Sequence, residues 1–150
     1  MKAVVQRVSS GSVKIDTEYV RKIESGLVVL LGVKQNDNSA VIKKIAEKIC
    51  NLRIFNDENE KLNKSIIDIS GEMLIISQFT IYGDCRKGNR PSFTEAADAE
   101  LGNKLYLEFV EHVSNIIGVD KVKTGIFGAM MSVEIINNGP VTLIVSSENE

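Results

Sequence analysis

The segment Gly26-Leu-Val-Val-Leu-Leu-Gly-Val33 is apolar from end to end and has the length of one strand. A strand with two apolar faces belongs in the middle of a sheet, where both faces are covered. The segment therefore predicts a buried central strand, and the rest of the chain must supply its neighbours and its cover. Lys2 to Val8 alternates loosely and reads as a strand. Ser12 to Asp16 and Tyr19 to Ile23 read as a hairpin around Asp16-Thr17-Glu18. Met73 to Ile81 is a second strong strand, Arg53-Ile-Phe55 a short one, and Met130 to Ile136 and Val141 to Ser146 close the chain.

Cover comes from two helical stripes. Asn36-Asp-Asn-Ser39 is a cap cluster, after which Val41, Ile42, Ile45, Ala46 and Ile49 recur at helical spacing. A second stripe runs Leu101, Leu105, Phe109, Val113 and Ile116/Ile117, capped among Ser92, Thr94 and Asp98 and stopped by Gly118. Roughly seven or eight strands with two helices make an α+β domain. Its expected form is a mostly antiparallel, barrel-like sheet with both main helices packed on one face, as a single domain over 1–150.

At 150 residues, 43% hydrophobic and 25% charged, the composition is that of an ordinary globular protein. The longest apolar run, Leu27 to Leu31, is too short to span a bilayer, and Met-Lys-Ala-Val-Val-Gln-Arg7 carries no signal-peptide core. Two cysteines without a secretory signal point to free thiols and a cytoplasmic setting. The net charge of −2 lacks the positive field of a sequence-blind nucleic-acid binder, so neither DNA nor a membrane is an expected partner. An RNA end held by a few local contacts is compatible with it.

Familiar catalytic signatures are missing. The chain has no G-x-S-x-G elbow, Walker loop or dinucleotide fingerprint, and Cys50 and Cys85 have no metal-spaced partners. Neither a metal nor a cofactor is expected. The sole histidine, His112, falls off the apolar stripe and reads as a solvated helix residue. Cys50 reads as core. Cys85, followed by Arg86 and Lys87, reads as a loop thiol without a base.

Two segments remain. Ser77-Gln78-Phe79-Thr80 turns polar where a buried strand should stay apolar. It reads either as a strand end with one wet face or as a terminus whose free N–H groups stabilise an oxyanion. The basic loop Arg86-Lys87-Gly-Asn-Arg90 follows directly and is either a solvated turn or a weak phosphate grip. Gly139-Pro140 interrupts the closing strand pair and is one of only two X-Pro steps in the chain. Proline cannot donate to a ladder, so the step belongs at an edge or bulge and bares main-chain carbonyls.

Together, Ser77 to Phe93 and Asn137-Asn-Gly-Pro-Val-Thr142 resemble the D-aminoacyl-tRNA deacylase family. Gln6-Arg7-Val8, Gly26 to Val33, Arg53 to Phe55 and Gly125 to Met131 match the same family in the same order, so the resemblance covers essentially the whole chain. It implies a homodimer in which the Gly-Pro of one copy, in cis form, completes the site of the other. It also implies hydrolysis of D-aminoacyl esters on the 3′ end of tRNA, as chiral proofreading. On this match Ser77, Gln78, Phe79 and Thr80 line the reacting centre and Gly139 and Pro140 face the amino acid. Phe127 and Met131 lie near the terminal adenosine, and Arg7 fixes the Gly-Pro carbonyls.

Those residues permit a mechanism. A backbone wall facing Cα excludes an L side chain and lets a D side chain, or glycine, escape. The Phe79 and Thr80 N–H groups are the oxyanion candidates, and no base is evidently placed to activate the Thr80 hydroxyl. Attack by water is favoured, with Thr80 orienting the site and the vicinal ribose hydroxyl assisting. Two rivals stand on composition alone: a non-catalytic RNA-binding module using Arg86, Lys87 and Arg90, and a thiol enzyme built on Cys85.

Overall fold

The computed structural model describes residues 1–148; the last two positions of the expected 1–150 domain lie outside the described residues. Its spine is β1 (Lys2–Lys14), one long strand where the sequence suggested two. Along one edge β1 pairs antiparallel with β2 (Val20–Ile23) and β3 (Gly26–Gly32) in a single unbroken register, Lys14↔Val20 through Lys2↔Gly32. β2 and β3 are thus one strand interrupted at Glu24 and Ser25. There the Glu24 N–H turns to the Glu72 carboxylate at 2.6 Å, and the Ser25 carbonyl takes the Glu72 N–H at 3.1 Å.

As expected, β3 is central and fully covered. Its other neighbour, β6 (Glu72–Ser77), is parallel, and β7 (Val122–Thr124) continues parallel beyond it. Parallel neighbours require long crossovers, and the two helices supply them: α1 (Ser39–Cys50) between β3 and β6, α2 (Ala99–Ile117) between β6 and β7. A small ribbon, β4 (Phe55–Asn56) with β5 (Leu62–Lys64), occupies part of what read as a polar loop. The antiparallel majority comes from β1, which pairs with β2, β3 and β8 (Ser132–Ser146).

Both helices begin on side-chain caps. The Asn38 carboxamide accepts from Ala40 and Val41, and the Asp98 carboxylate accepts from Leu101. Ile42, Ile45, Ile49, Leu105, Phe109 and Val113 pack with β1, β3 and β6 into one apolar cluster on the helix side. On the opposite face of the sheet, Val8, Val13, Ile23, Val28, Leu74 and Ile76 form a second cluster.

The two closing strands of the sequence reading are one strand, β8, with a large irregularity. Between Gln6↔Thr142 and Val8↔Asn137 β8 has four residues against one of β1. Residues 138 to 141 therefore stand off the ladder opposite Arg7, as a bulge. Proline is tolerated there because the ladder asks nothing of it.

Candidate active site

β6 stops at Ser77, four residues before the end expected from its apolar run. Its partner β3 ends at Gly32, so beyond the Gln78 N–H, which bonds the Leu31 carbonyl at 2.8 Å, nothing remains to pair with. The chain tightens into a 3₁₀ turn, Phe79–Tyr82. The first donors of such a turn have no acceptor within it. Neither the Phe79 nor the Thr80 N–H has a hydrogen-bond partner among the described residues.

This turn forms one wall of a cleft of about 580 Å³, lined on that side by Ile76 to Phe79 and across from it by Phe127 to Met131. Phe127 is seated by α2: its ring tilts against Tyr106 at 6.1 Å, and a Cβ on Gly102 would come within 3.3 Å of it. Tyr106 is held in turn by its hydroxyl, which donates to the Ile75 carbonyl at 2.8 Å. Burial pushes that phenol's pKa well above its ordinary range. Met131 packs on Gly125, where a side chain would overlap its sulfur. The structure thus brings Ser77, Gln78, Phe79, Phe127 and Met131 to one cleft, with Thr80 in the same turn.

The Gln78 carboxamide donates to the Thr80 hydroxyl, the only hydrogen bond that hydroxyl makes among the described residues. Among the described residues no histidine, lysine or carboxylate hydrogen-bonds to it. His112 lies on another face of α2, 3.9 Å from Glu108. Cys85 is exposed, and its one hydrogen bond among the described residues goes to the Gly83 carbonyl at 3.9 Å. Cys50 is buried, its thiol pushed up to about 12 by desolvation.

Gly139 and Pro140 do not line this cleft. Their bulge lies opposite Arg7, which pairs with Leu27, itself paired with Met73, four residues before Ser77. Adding the steps from β8 through β1 and β3 to β6, the two segments of one chain are on the order of 15–20 Å apart.

The bulge is nevertheless firmly held. The peptide is cis, and Gly139 takes φ +132°. Arg7 reaches the Asn138 carbonyl through Nε at 2.9 Å, and through Nη1 it reaches the Ile54 carbonyl at 2.8 Å and Asn56 Oδ1 at 3.3 Å. It therefore grips one residue ahead of the Gly-Pro carbonyls for which it was expected. From the other side Asn137 spans the bulge: its Oδ1 accepts the Val141 N–H at 3.1 Å, and its Nδ2 donates to Thr142 Oγ1 at 2.9 Å. Nothing in the sequence assigned Asn137 that duty. A short polar side chain flanking Gly-Pro was the only available signal.

The basic loop is less basic than it reads. Arg86 forks onto Asp84 with contacts of 2.9 and 2.8 Å, and the guanidinium holds the Asp84 carboxyl down at about 2. Lys87 and Arg90 are exposed and have no ion-pair partner among the described residues.

Comparison with known proteins agrees on one family. The model of the D-Tyr-tRNA(Tyr) deacylase family matches residues 4–146. A D-aminoacyl-tRNA deacylase of Thermosipho africanus (strain TCF52B) is 55% identical over 148 residues, covering 99% of this chain and 98% of that protein. One from Desulfatibacillum aliphaticivorans is also 55% identical over 148 residues, covering 99% and 100%. Among solved structures, the c-Myc DNA unwinding element binding protein superposes with a TM-score of 0.94 at 40% identity, covering 99% of this chain and 100% of that one. A probable eukaryotic D-amino acid tRNA deacylase, at 16% identity and a TM-score of 0.85 over 96% of this chain and 97% of its own, shares the fold.

Proposed function

Since the chain belongs to the D-Tyr-tRNA(Tyr) deacylase family, we propose that it hydrolyses the ester joining a D-amino acid to the terminal adenosine of tRNA in the cytoplasm, as a homodimer, without metal or cofactor. The observation that carries the proposal is the pair of unpartnered N–H groups, Phe79 and Thr80, on a turn that walls an apolar cleft. Attack on an ester carbonyl puts negative charge on its oxygen. Fixed donors aimed at that charge lower the barrier by about 3 kcal/mol for one good donor. The cleft's other wall, Phe127 and Met131, offers apolar surface of the kind a purine stacks on.

The nucleophile in this proposal is water. The Thr80 hydroxyl accepts the Gln78 amide and meets no base among the described residues, so nothing there activates it. It orients the site, and the vicinal ribose hydroxyl of the substrate assists proton transfer. Water adds to the carbonyl carbon, the tetrahedral oxyanion collapses, and the ribose oxygen leaves with a proton.

Chirality enters through a second copy of the chain. Gly139 and Pro140 are too far from their own cleft to screen its contents, yet Arg7 and Asn137 hold them as a rigid projection. Such a projection supports a reading in which the second copy places it against Cα of the substrate. There an L side chain collides with backbone, while a D side chain or the hydrogen of glycine passes. A deacylation assay comparing D-tyrosyl-, L-tyrosyl- and glycyl-tRNA tests this. Cleavage of the D and glycyl esters with the L ester spared is expected. An enzyme that spares the glycyl ester contradicts exclusion, and one that cleaves none of the three is no deacylase.

A further inference from the structure

Between the turn and α2 the chain makes a detour, residues 83 to 93, that leaves the turn and returns to it. Asp84 and Ser92 close it, exchanging N–H···O bonds of 2.7 and 3.0 Å. Within it the Asp84 carboxylate also accepts the Arg86 N–H at 3.0 Å, beside the guanidinium fork. One of the detour's three positive charges is therefore committed inside the loop rather than offered to a phosphate. What the loop delivers is Phe93.

Phe93 meets both ends of the 3₁₀ turn. Its ring stands edge-on to Phe79, centroids 5.1 Å apart at 70°. It also lies on the backbone of Gly83, where a Cβ would come within 2.9 Å of the Phe93 ring and 3.0 Å of the Thr80 carbonyl. Within the turn the Ile81 N–H reaches the Gln78 carbonyl at 3.3 Å and the Gly83 N–H the Thr80 carbonyl at 2.9 Å, and buried Tyr82 anchors its far end. The Phe79 ring is 55% exposed, and Phe93 is the only aromatic ring paired with it among the described residues. Phe93 is not among the residues that line the cleft.

We propose that Phe93 is a positioning residue: carried back by the Asp84–Ser92 closure, it buttresses the turn from behind and holds the Phe79 and Thr80 N–H groups on the reacting carbonyl. This rests on the deacylase reading. A donor of this kind works only when it is aimed before the charge develops, so loosening its backing lowers the chemical step and leaves substrate binding alone.

The test is steady-state deacylation of D-tyrosyl-tRNA by wild type, Phe93→Ala, Phe93→Leu, Phe79→Leu and the double variant F79L/F93A. F93A is expected to lower kcat about tenfold, equivalent to about 1.4 kcal/mol, with KM unchanged. F93L, which keeps bulk behind the turn, recovers part of that loss. Because Phe93 acts through the Phe79 ring, F93A should add little in the F79L background, whereas independent sites would multiply. Wild-type kcat in both F93A and F93L, a rise in KM alone, or simple multiplication in the double variant overturns the positioning role. Should F93A fail to fold, F93L carries the same comparison of kcat against KM. A wild type inactive on every D-ester overturns the deacylase reading and the positioning role with it; an active wild type with an indifferent Phe93 overturns the positioning role alone.

Discussion

Arg7→Ala separates the rigidity of the Gly139-Pro140 projection from its mere presence. Arg7 ties the bulge to the body through the Asn138 carbonyl at 2.9 Å, and it is itself braced on the Ile54 carbonyl at 2.8 Å. Hydrogen bonds from a charged donor contribute about 1.5–3 kcal/mol each. Only the first of these restrains the bulge, because the second orients the guanidinium. Truncation therefore removes about 1.5–3 kcal/mol of restraint and leaves Asn137 to hold residues 138 to 141 alone. If rejection of L substrates depends on backbone that cannot retreat, that energy bounds what the variant gives away. At 1.36 kcal/mol per decade it corresponds to a rise of roughly 10- to 160-fold in kcat/KM for L-tyrosyl-tRNA, with the D ester much less affected. Arg7→Lys should fall between, since one ammonium cannot reproduce the fork. The assay is deacylation of D- and L-tyrosyl-tRNA in parallel, with circular dichroism to confirm folding. A folded R7A that still rejects the L ester as well as wild type does would refute the reasoning.

Thr80→Ala should retain part of the activity, whereas a tRNA ending in 2′-deoxyadenosine should lose far more; an acyl-enzyme trapped on wild type would reverse that order. Asp37→Ala should cost about 3–5 kcal/mol in chemical denaturation, because its carboxylate binds the buried Met1 ammonium at 2.6 Å and the Lys34 N–H at 2.7 Å, with the ion-pair side chains 0% and 6% exposed. Asp84 should titrate near 2 by NMR and return toward about 4 in Arg86→Gln. Its folded pKa lies below the unfolded one, so its contribution to loop order is complete above about pH 4 and fades as the pH falls toward 2. A normal titration in wild type would show that the Arg86 fork does not form.

Much of this molecule was legible because the signals are local. The unbroken apolar run of β3, the stripes of α1 and α2, the Asn38 and Asp98 caps and the Gly118 stop each depend on residues within a turn or two. The motif at Ser77 to Thr80 was visible as polarity in the wrong place. Its geometry was misjudged because a strand lasts only as long as its neighbour, and β3 runs out at Gly32. The apolar residues Phe79 and Ile81 prolonged the pattern without a partner to pair with. The pairing of Arg86 was not legible, because its acceptor, Asp84, becomes a fork only once the loop closes.

The sequence by itself determined the central strand, the two helices with the faces they bury, and where bare backbone is exposed, since periodicity, caps and proline act over short range. Only the tertiary structure decided that Gly139-Pro140 stands apart from its own cleft and that Arg7 grips Asn138. Those outcomes depend on the register between strands more than a hundred residues apart, and register is a property of the assembled sheet that no single segment encodes.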